Sequence, residues 1–255
     1  RKYPKAKLTF GVGDGIFFNT IKNDPNIDHF ETPFSYNVWK KRYHRKTYRE
    51  KYKEHDLVFL LDNGNRDWWK TQKHLLDIYA EKCGVTLEQR RPLIYLDDKD
   101  IQEAHSKLNE LGISKKDKLM ILSPETRSKK NMKEWPHDRF ISLIEKINKN
   151  YDFKIITFVS KENPYDYNGT ISLKGYPLGP SSAMIQKANF YIGLDNGLTH
   201  MASCFDLKMI SIHIGFPVEC CGPLSPFATT IAHKPFDPPD SISVDEVYQA
   251  FQKSI

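Results

Sequence analysis

The sequence predicts an α/β protein built on parallel sheets, and three observations carry that prediction. From Lys118 onward, short apolar segments alternate with segments of helical period. The segments LMILS, FKIITFV, FYIGL and KMISIHI contain few polar residues, which marks strands covered on both faces, as parallel strands are. Polar and glycine-containing turns follow these strands, and in an open parallel sheet ligands bind beyond the carboxyl ends of the strands.

The bulk properties set limits. A chain of 255 residues has material for one large or two small domains. Its 39% hydrophobic and 27% charged content is that of a globular protein rather than a disordered one. No apolar run approaches the roughly 18 residues of a membrane span, and no signal peptide opens the chain, so a cytoplasmic setting is expected. With 38 Lys and Arg against 32 Asp and Glu, the net charge of +6 suits an anionic substrate, an anionic membrane surface or nucleic acid, and selects none of them. Cys83, Cys204, Cys220 and Cys221 lack zinc-type spacing, and the adjacent pair is unlike a disulfide framework, which fits a reducing compartment.

Taken in order, residues 1–12 give a basic turn and a short strand. Gly11–Gly15 (GVGDG) reads as a glycine-rich turn, because the third glycine of a dinucleotide loop would fall at Ile16. FFNTIKN is helix-like, and Ile27–Phe30 is a short segment. Residues 39–55 interleave Lys, Arg and Tyr; Glu50 and Glu54 favour a solvated element over a nucleic-acid surface. Asp56–Asp62 (DLVFLLD) predicts a buried strand ending in the turn Asn63–Asn65. A helical run through His74, Leu75, Ile78 and Tyr79 ends at Cys83–Gly84, a C-cap signal. After a break at Arg91–Pro92 and an extended piece at Leu93–Leu96, Ile101, Ala104, Leu108 and Leu111 give an amphipathic helix over 98–111, closed by Gly112. The domain junction is placed near there. Strand Leu119–Ser123, helix Pro136–Asn148 with Pro at N1, strand Phe153–Val159, a short strand at Ile171–Leu173 and helix Ser181–Lys187 follow. Then come the strand and turn of 188–200 and strand Lys208–Ile214. The tail Ser243–Ile255 is a helix opened by a capping box, Ser243 with Glu246.

Three loops converge on one edge of this second sheet. The loop after Ser123 offers Thr126, Arg127, Ser128, Lys129, Lys130 and Lys133, a hydroxyl and cations suited to charge-assisted hydrogen bonds with a diphosphate. The loop after Val159 offers Glu162, a carboxylate able to accept from a ribose or a base amine. The turn Asp195–Asn196–Gly197 opens a helix carrying Leu198 and His200, and its free N–H groups suit a phosphate as well as an ordinary cap.

KEWPHDRFISLIEKI (133–147), the D-x-G-x-x-H of Asp195, Gly197 and His200, and HIGFPVECCGPLSP (213–226), in that order and spacing, resemble the bacterial heptosyltransferases of glycosyltransferase family nine. RKYPKAKLTF and HLLDIYAEKCGV are similar to parts of the same family's N-terminal half. The resemblance implies a GT-B fold, with two Rossmann-like domains and a cleft between them. It implies an N-terminal acceptor domain over 1–97, incomplete at its start, a connecting helix and linker over 98–117, a nucleotide-sugar domain over 118–242 and a terminal helix over 243–255. By the same resemblance Lys133 matches a lysine on the donor phosphates, and Thr126 a hydroxyl of that loop. Asp195, Asn196, Gly197 and Leu198 match the segment at the diphosphate and sugar, with His200 beside it. Asn196 stands where the family more often has Ser or Thr.

The family's general base is an Asp on the turn after its first strand. Here RKYPKAK, which follows that strand and helix in the family, begins the chain, so Asp14 reads as a look-alike and the base as absent. The implied activity is inverting, cofactor-free and metal-independent transfer of a sugar, by resemblance heptose from ADP-heptose, to a lipopolysaccharide-core or similar glycan, at or near the inner membrane face and without nucleic acid. The alternative is a non-catalytic relative that binds the nucleotide-sugar or serves as a scaffold.

Overall fold

The computed structural model describes residues 3–12, 16–32, 50–61 and 67–255. The glycine-rich turn at 13–15, most of the basic stretch at 39–55 and the turn Asn63–Asn65 lie outside the described residues. A six-stranded sheet dominates the rest. It is formed by β3 (Lys118–Ser123), β4 (Phe153–Val159), β5 (Ile171–Lys174), β6 (Phe190–Leu194), β7 (Met209–Ile212) and β8 (Ala228–Ile231). Every pairing is parallel, in the order β5-β4-β3-β6-β7-β8. The chain runs outward from β3 to β5, then crosses back to β6 and runs outward the other way. Strand order therefore reverses between β3 and β6, and a crevice opens beyond their carboxyl ends.

Both faces of the sheet are buried, which explains why its strands read as nearly continuous apolar runs. On one side Met120, Leu122, Phe190, Ile192, Ile210 and Ile212 meet Phe140, Leu143, Ile144 and Ile147 of α5 (His137–Asn150) and Val247 and Phe251 of α9 (Val244–Ser254). On the other, Leu119, Ile121, Ile156, Tyr191 and Met209 meet Ala104 and Leu108 of α3 (Asp98–Glu110) and Ala183, Met184 and Ile185 of α6 (Leu178–Lys187). The helix expected to connect two domains, α3, thus also forms part of this layer. It packs along α6, and a Cβ on Gly179 would strike the Asp100 carboxylate 2.2 Å away.

In the N-terminal half, β1 (Thr9–Gly11) pairs in parallel with β2 (His29–Glu31), and α1 (Ile16–Ile21) lies between them in sequence. A turn of 3-10 helix over Trp68–Thr71 and α2 (Leu75–Cys83) follow. His74 caps α2, its Nδ1 accepting from the Leu76 N–H at 3.1 Å, and Gly84 closes it at φ 61°, a conformation that favours glycine.

The structure departs from the sequence expectations in several places. Residues 57–61 are not in a strand; Leu57, Val58, Phe59 and Leu61 are 42–52% exposed. An apolar run makes a strand only where a neighbour takes up its backbone groups, and the β1–β2 pairing does not extend to it. Pro136 is the N-cap of α5 rather than its first residue, and α6 starts three residues before Ser181. Strand β8 and the short helices α4 (Lys130–Lys133) and α8 (Val218–Cys221) carried no sequence signal strong enough to find them.

Two stability outcomes follow from this packing. Phe251 is fully buried against Phe190, Phe153 and Tyr151. Phe251→Ala should cost about 3–5 kcal/mol in urea unfolding, the usual range for removing a buried aromatic ring. At the capping box, the Ser243 hydroxyl and N–H, with His233 beside them, hold the Glu246 carboxyl down at about 2, below its ordinary 4.5. A depressed carboxyl stabilises the fold fully above its unfolded value and loses that contribution as pH falls through the folded one. Acid titration followed by amide exchange should therefore show α9 loosening between pH 4.5 and 2, and Glu246→Gln should abolish that pH dependence.

Candidate active site

The reversal point brings together the loops after β3, β6 and β7. Asp195, the first residue after β6, is 6% exposed. Its Oδ2 lies 2.5 Å from the Lys133 ammonium, and its Oδ1 lies 3.5 Å from His200 Nε2. Burial alone would raise this carboxyl. The hydrogen bond from His200 and the charge of Lys133 outweigh burial and hold it well below the usual carboxylate range. The Lys133 side chain is only 11% exposed, so both charges of the pair are largely removed from water.

Asn196 fixes the geometry between β3 and β6. Its Nδ2 donates to Ser123 Oγ at 2.8 Å and to the Glu125 carbonyl at 2.9 Å, and its Oδ1 accepts from the Thr199 N–H at 3.0 Å. Asn196 therefore caps α7 (Gly197–Ala202) while tying its start to the loop after β3. This side chain is engaged internally, so any contact with a ligand here is through backbone. Gly197 is exposed, and a Cβ there would meet nothing within 4 Å, so the turn faces open space. Leu198 packs partly into the core beneath α7. The tie is compact because Thr199 is buried, its hydroxyl bonded to the Leu194 carbonyl and 2.9 Å from the Tyr191 hydroxyl.

Thr126 is placed differently from expectation. It is 2% exposed; its N–H donates to Glu134 Oε1 at 2.9 Å and its hydroxyl to the Ser128 carbonyl at 3.3 Å. It shapes the loop from within. Lys130 is drawn to Glu125 at 2.7 Å, while Arg127 and Lys129 are exposed. Glu162 is exposed on the loop after β4, apart from the Lys133–Asp195–His200 group in sequence and strand position. Glu125, which the sequence did not single out, accepts from Ser160 N–H at 2.7 Å and Ser160 Oγ at 2.9 Å and so ties the loop after β4 to the one after β3.

Two further residues were missed, His213 and Cys221. His213, the first residue after β7, is buried, and burial lowers its pKa and keeps it neutral. Its Nε2–H donates to the Phe216 carbonyl at 3.0 Å, which leaves Nδ1 as the bare nitrogen, buried and without a partner. The Cys221 thiol lies 3.9 Å from Asp195 Oδ2 and from His213 Nε2, and burial together with the Asp195 charge pushes it up to about 12. The sequence placed His213 inside the strand 208–214, whereas β7 ends at Ile212; its place at the head of the 213–226 motif was the signal for it. Gly215, at φ 101°, lets this loop close on Lys133; a Cβ would sit 3.0 Å from Lys133 Cγ and 3.3 Å from the Met132 carbonyl.

Asp195, His213 and Cys221 offer ligand atoms within 4.8 Å of one another, a set that suits a thiophilic divalent cation. A cation there would have to displace the Lys133 ammonium and turn His213 off the Phe216 carbonyl. As folded, the three serve the ion pair. The two grooves described, of about 430 and 350 Å³, lie along edge strand β5 and not at Asp195.

The chain has the α/β fold of GT-B-type glycosyltransferases. By sequence it matches no protein-family model and no curated protein. By structure it is similar to the glycosyl transferase family 9 protein from Veillonella parvula, at a TM-score of 0.75 and 15% identity over 98% of this chain and 89% of that one. It is likewise similar to ADP-heptose lipopolysaccharide heptosyltransferase II of E. coli, at a TM-score of 0.64 and 13% identity over 99% and 90%. Heptosyltransferase WaaC of E. coli, solved with ADP, gives a TM-score of 0.65 and 15% identity over 100% and 92%.

The ion pair itself is testable. Removing Lys133 leaves a buried carboxylate with only His200 to offset it, so Lys133→Ala should destabilise the fold by about 3–5 kcal/mol. It should also move acid unfolding to higher pH. A depressed Asp195 stabilises above its ordinary 3.8 and down to its folded value, and loss of the ammonium raises that folded value. Denaturant melts of the variant at pH 7 and pH 4 measure both effects.

Proposed function

We propose that this protein is a glycosyltransferase that binds a nucleotide-diphosphate sugar at the Lys133–Asp195 pair. One observation carries the reading: a buried ammonium and a free N–H turn share the strand-reversal crevice of a fold that WaaC, solved with ADP and with ADP-2-deoxy-2-fluoro heptose, also has. The donor we propose is ADP-heptose and the acceptor a lipopolysaccharide-core or similar glycan.

In this reading Lys133 and the first N–H groups of α7, at Gly197 and Leu198, take up negative charge developing on the leaving diphosphate. Asp195 holds Lys133 and His200 in register. The acceptor oxygen bonds to the anomeric carbon from the face opposite the diphosphate as the carbon–oxygen bond to the phosphate breaks. Its proton must pass to a general base, a role the family gives to a carboxylate of the N-terminal half and for which no residue of this chain is assigned. Attack from the opposite face inverts the anomeric centre, and cationic side chains take the electrostatic role that a metal would otherwise fill. The division into an acceptor half (1–97), a linker (98–117), a donor half (118–242) and a terminal helix (243–255) belongs to the same proposal.

Titration calorimetry with ADP, ADP-heptose and UDP-sugars tests it. ADP at 100 times its dissociation constant should stabilise the fold by about 2.7 kcal/mol in thermal melts. Lys133→Ala should abolish that shift. Absence of a shift with every nucleotide, or an unaltered shift in Lys133→Ala, refutes the donor site. ADP-heptose binding without transfer to any lipid-core acceptor would make the protein a non-catalytic binder.

A further inference from the structure

The residues that hold the ion pair are themselves held by the other half of the chain. The loop after β7 runs from His213 to Gly222 and touches the site three times: Gly215 closes on Lys133, Phe216 fixes His213, and Cys221 lies against Asp195. Its outer side is gripped by residues 68–74. The Trp68 ring lies 5.5 Å from that of Phe216, and Cys220 donates its thiol hydrogen to the Trp69 carbonyl at 3.2 Å. His74 Nε2 donates to the Gly222 carbonyl at 3.1 Å. Because His74 Nδ1 accepts from the Leu76 N–H, its proton must sit on Nε2, so the cap of α2 fixes the tautomer that grips Gly222. A second layer backs the first. Phe236 packs edge-on against Trp69 at 4.8 Å and Phe216 at 5.6 Å, and its N–H bonds to the Gly215 carbonyl at 2.8 Å. Phe236 holds φ at 65°, a conformation a bulky residue keeps only when its surroundings fix it.

We infer that Trp68 and His74 are positioning residues for the donor site: they clamp the two ends of the 216–222 segment and through it set Lys133 and Asp195 for a diphosphate. The donor site is then not a property of the six-stranded sheet alone. A change in the N-terminal half, where the acceptor is expected, is transmitted through residues 68–74. Neither residue belongs to the Lys133–Asp195–His200 group. This inference rests on the reading of Lys133–Asp195 as a diphosphate site.

The test uses the full chain with Trp68→Ala, Trp68→Phe and His74→Asn. Asparagine is a good N-cap but too short to reach Gly222, so His74→Asn removes the grip and keeps α2. Two quantities are measured beside the melting temperature. The first is ADP affinity by calorimetry. Trp68→Ala and His74→Asn should each weaken it roughly 3- to 30-fold, the span of couplings through a packed network, with Trp68→Phe close to the parent. The second needs no nucleotide: the rate at which iodoacetamide alkylates Cys220 and Cys221, read by mass spectrometry at a temperature where all variants are folded. It should rise in Trp68→Ala and His74→Asn and not in Trp68→Phe. Unchanged alkylation in both variants overturns the clamp. Faster alkylation with unchanged ADP affinity overturns its role in positioning. If the parent protein binds no ADP while alkylation rises as expected, the diphosphate reading fails and the clamp stands as a mechanical link.

Discussion

The buried pair of Lys133 and Asp195 is the constraint around which the rest is arranged. Two opposite charges withdrawn from water are tolerable only when geometry and further hydrogen bonds offset their desolvation. The structure brings the groups together from separate loops: Lys133 from the loop after β3, Asp195 and His200 from the turn after β6 and from α7, and Cys221, with His213 beside it, from the loop after β7. Asn196 secures the first two by spending its whole side chain on Ser123, Glu125 and Thr199. Gly215 allows the third to close on Lys133 because no side chain intervenes. A pair so held is preorganised, and an ammonium already fixed in a low-dielectric crevice needs little rearrangement to receive an anion.

Sheet topology explains why these groups meet. Two outward-running sets of strands leave one gap in the connections, between β3 and β6, and the polar loops on either side of it face each other. Covering helices on both faces exclude water from below, so the crevice opens only at the strand ends. The same double cover made the strands easy to read, since Ile121, Ile156, Tyr191 and Met209 face one layer of helices and their sequence neighbours the other.

Legibility followed burial. Strands β3, β4, β6 and β7 and helices α3, α5 and α9 were evident because their periodicity is the direct imprint of two apolar layers. Lys133, Asp195 and His200, named from the loops after strands and from the family resemblance, are brought together by the fold. Thr126 was named for its hydroxyl, but its burial and its bond to Ser128 depend on how the 124–136 loop folds back, which is a tertiary matter. Asn196 was named as donor-binding, and its side chain is occupied as a strut between the loops after β3 and β6. His213 and Cys221 stood inside the motif 213–226 without being assigned a role, and Glu125 was not named, because the contacts that bring them to the site reach 8 to 35 residues along the chain. The run 56–62 was misread because apolar content reports only that a segment can pair, not that it does.

That run has a colloidal consequence. Leu57–Leu61 is uncharged, free of proline and glycine, rich in β-forming residues and largely exposed, the composition of a segment that pairs edge-on with copies of itself. The aspartates at 56 and 62 bracket it in sequence and act as gatekeepers whose repulsion opposes stacking. Solubility in this protein is therefore tied to negative charge at two positions remote from Lys133 in the chain, and high-salt buffers that screen its repulsion favour association before they disturb the fold.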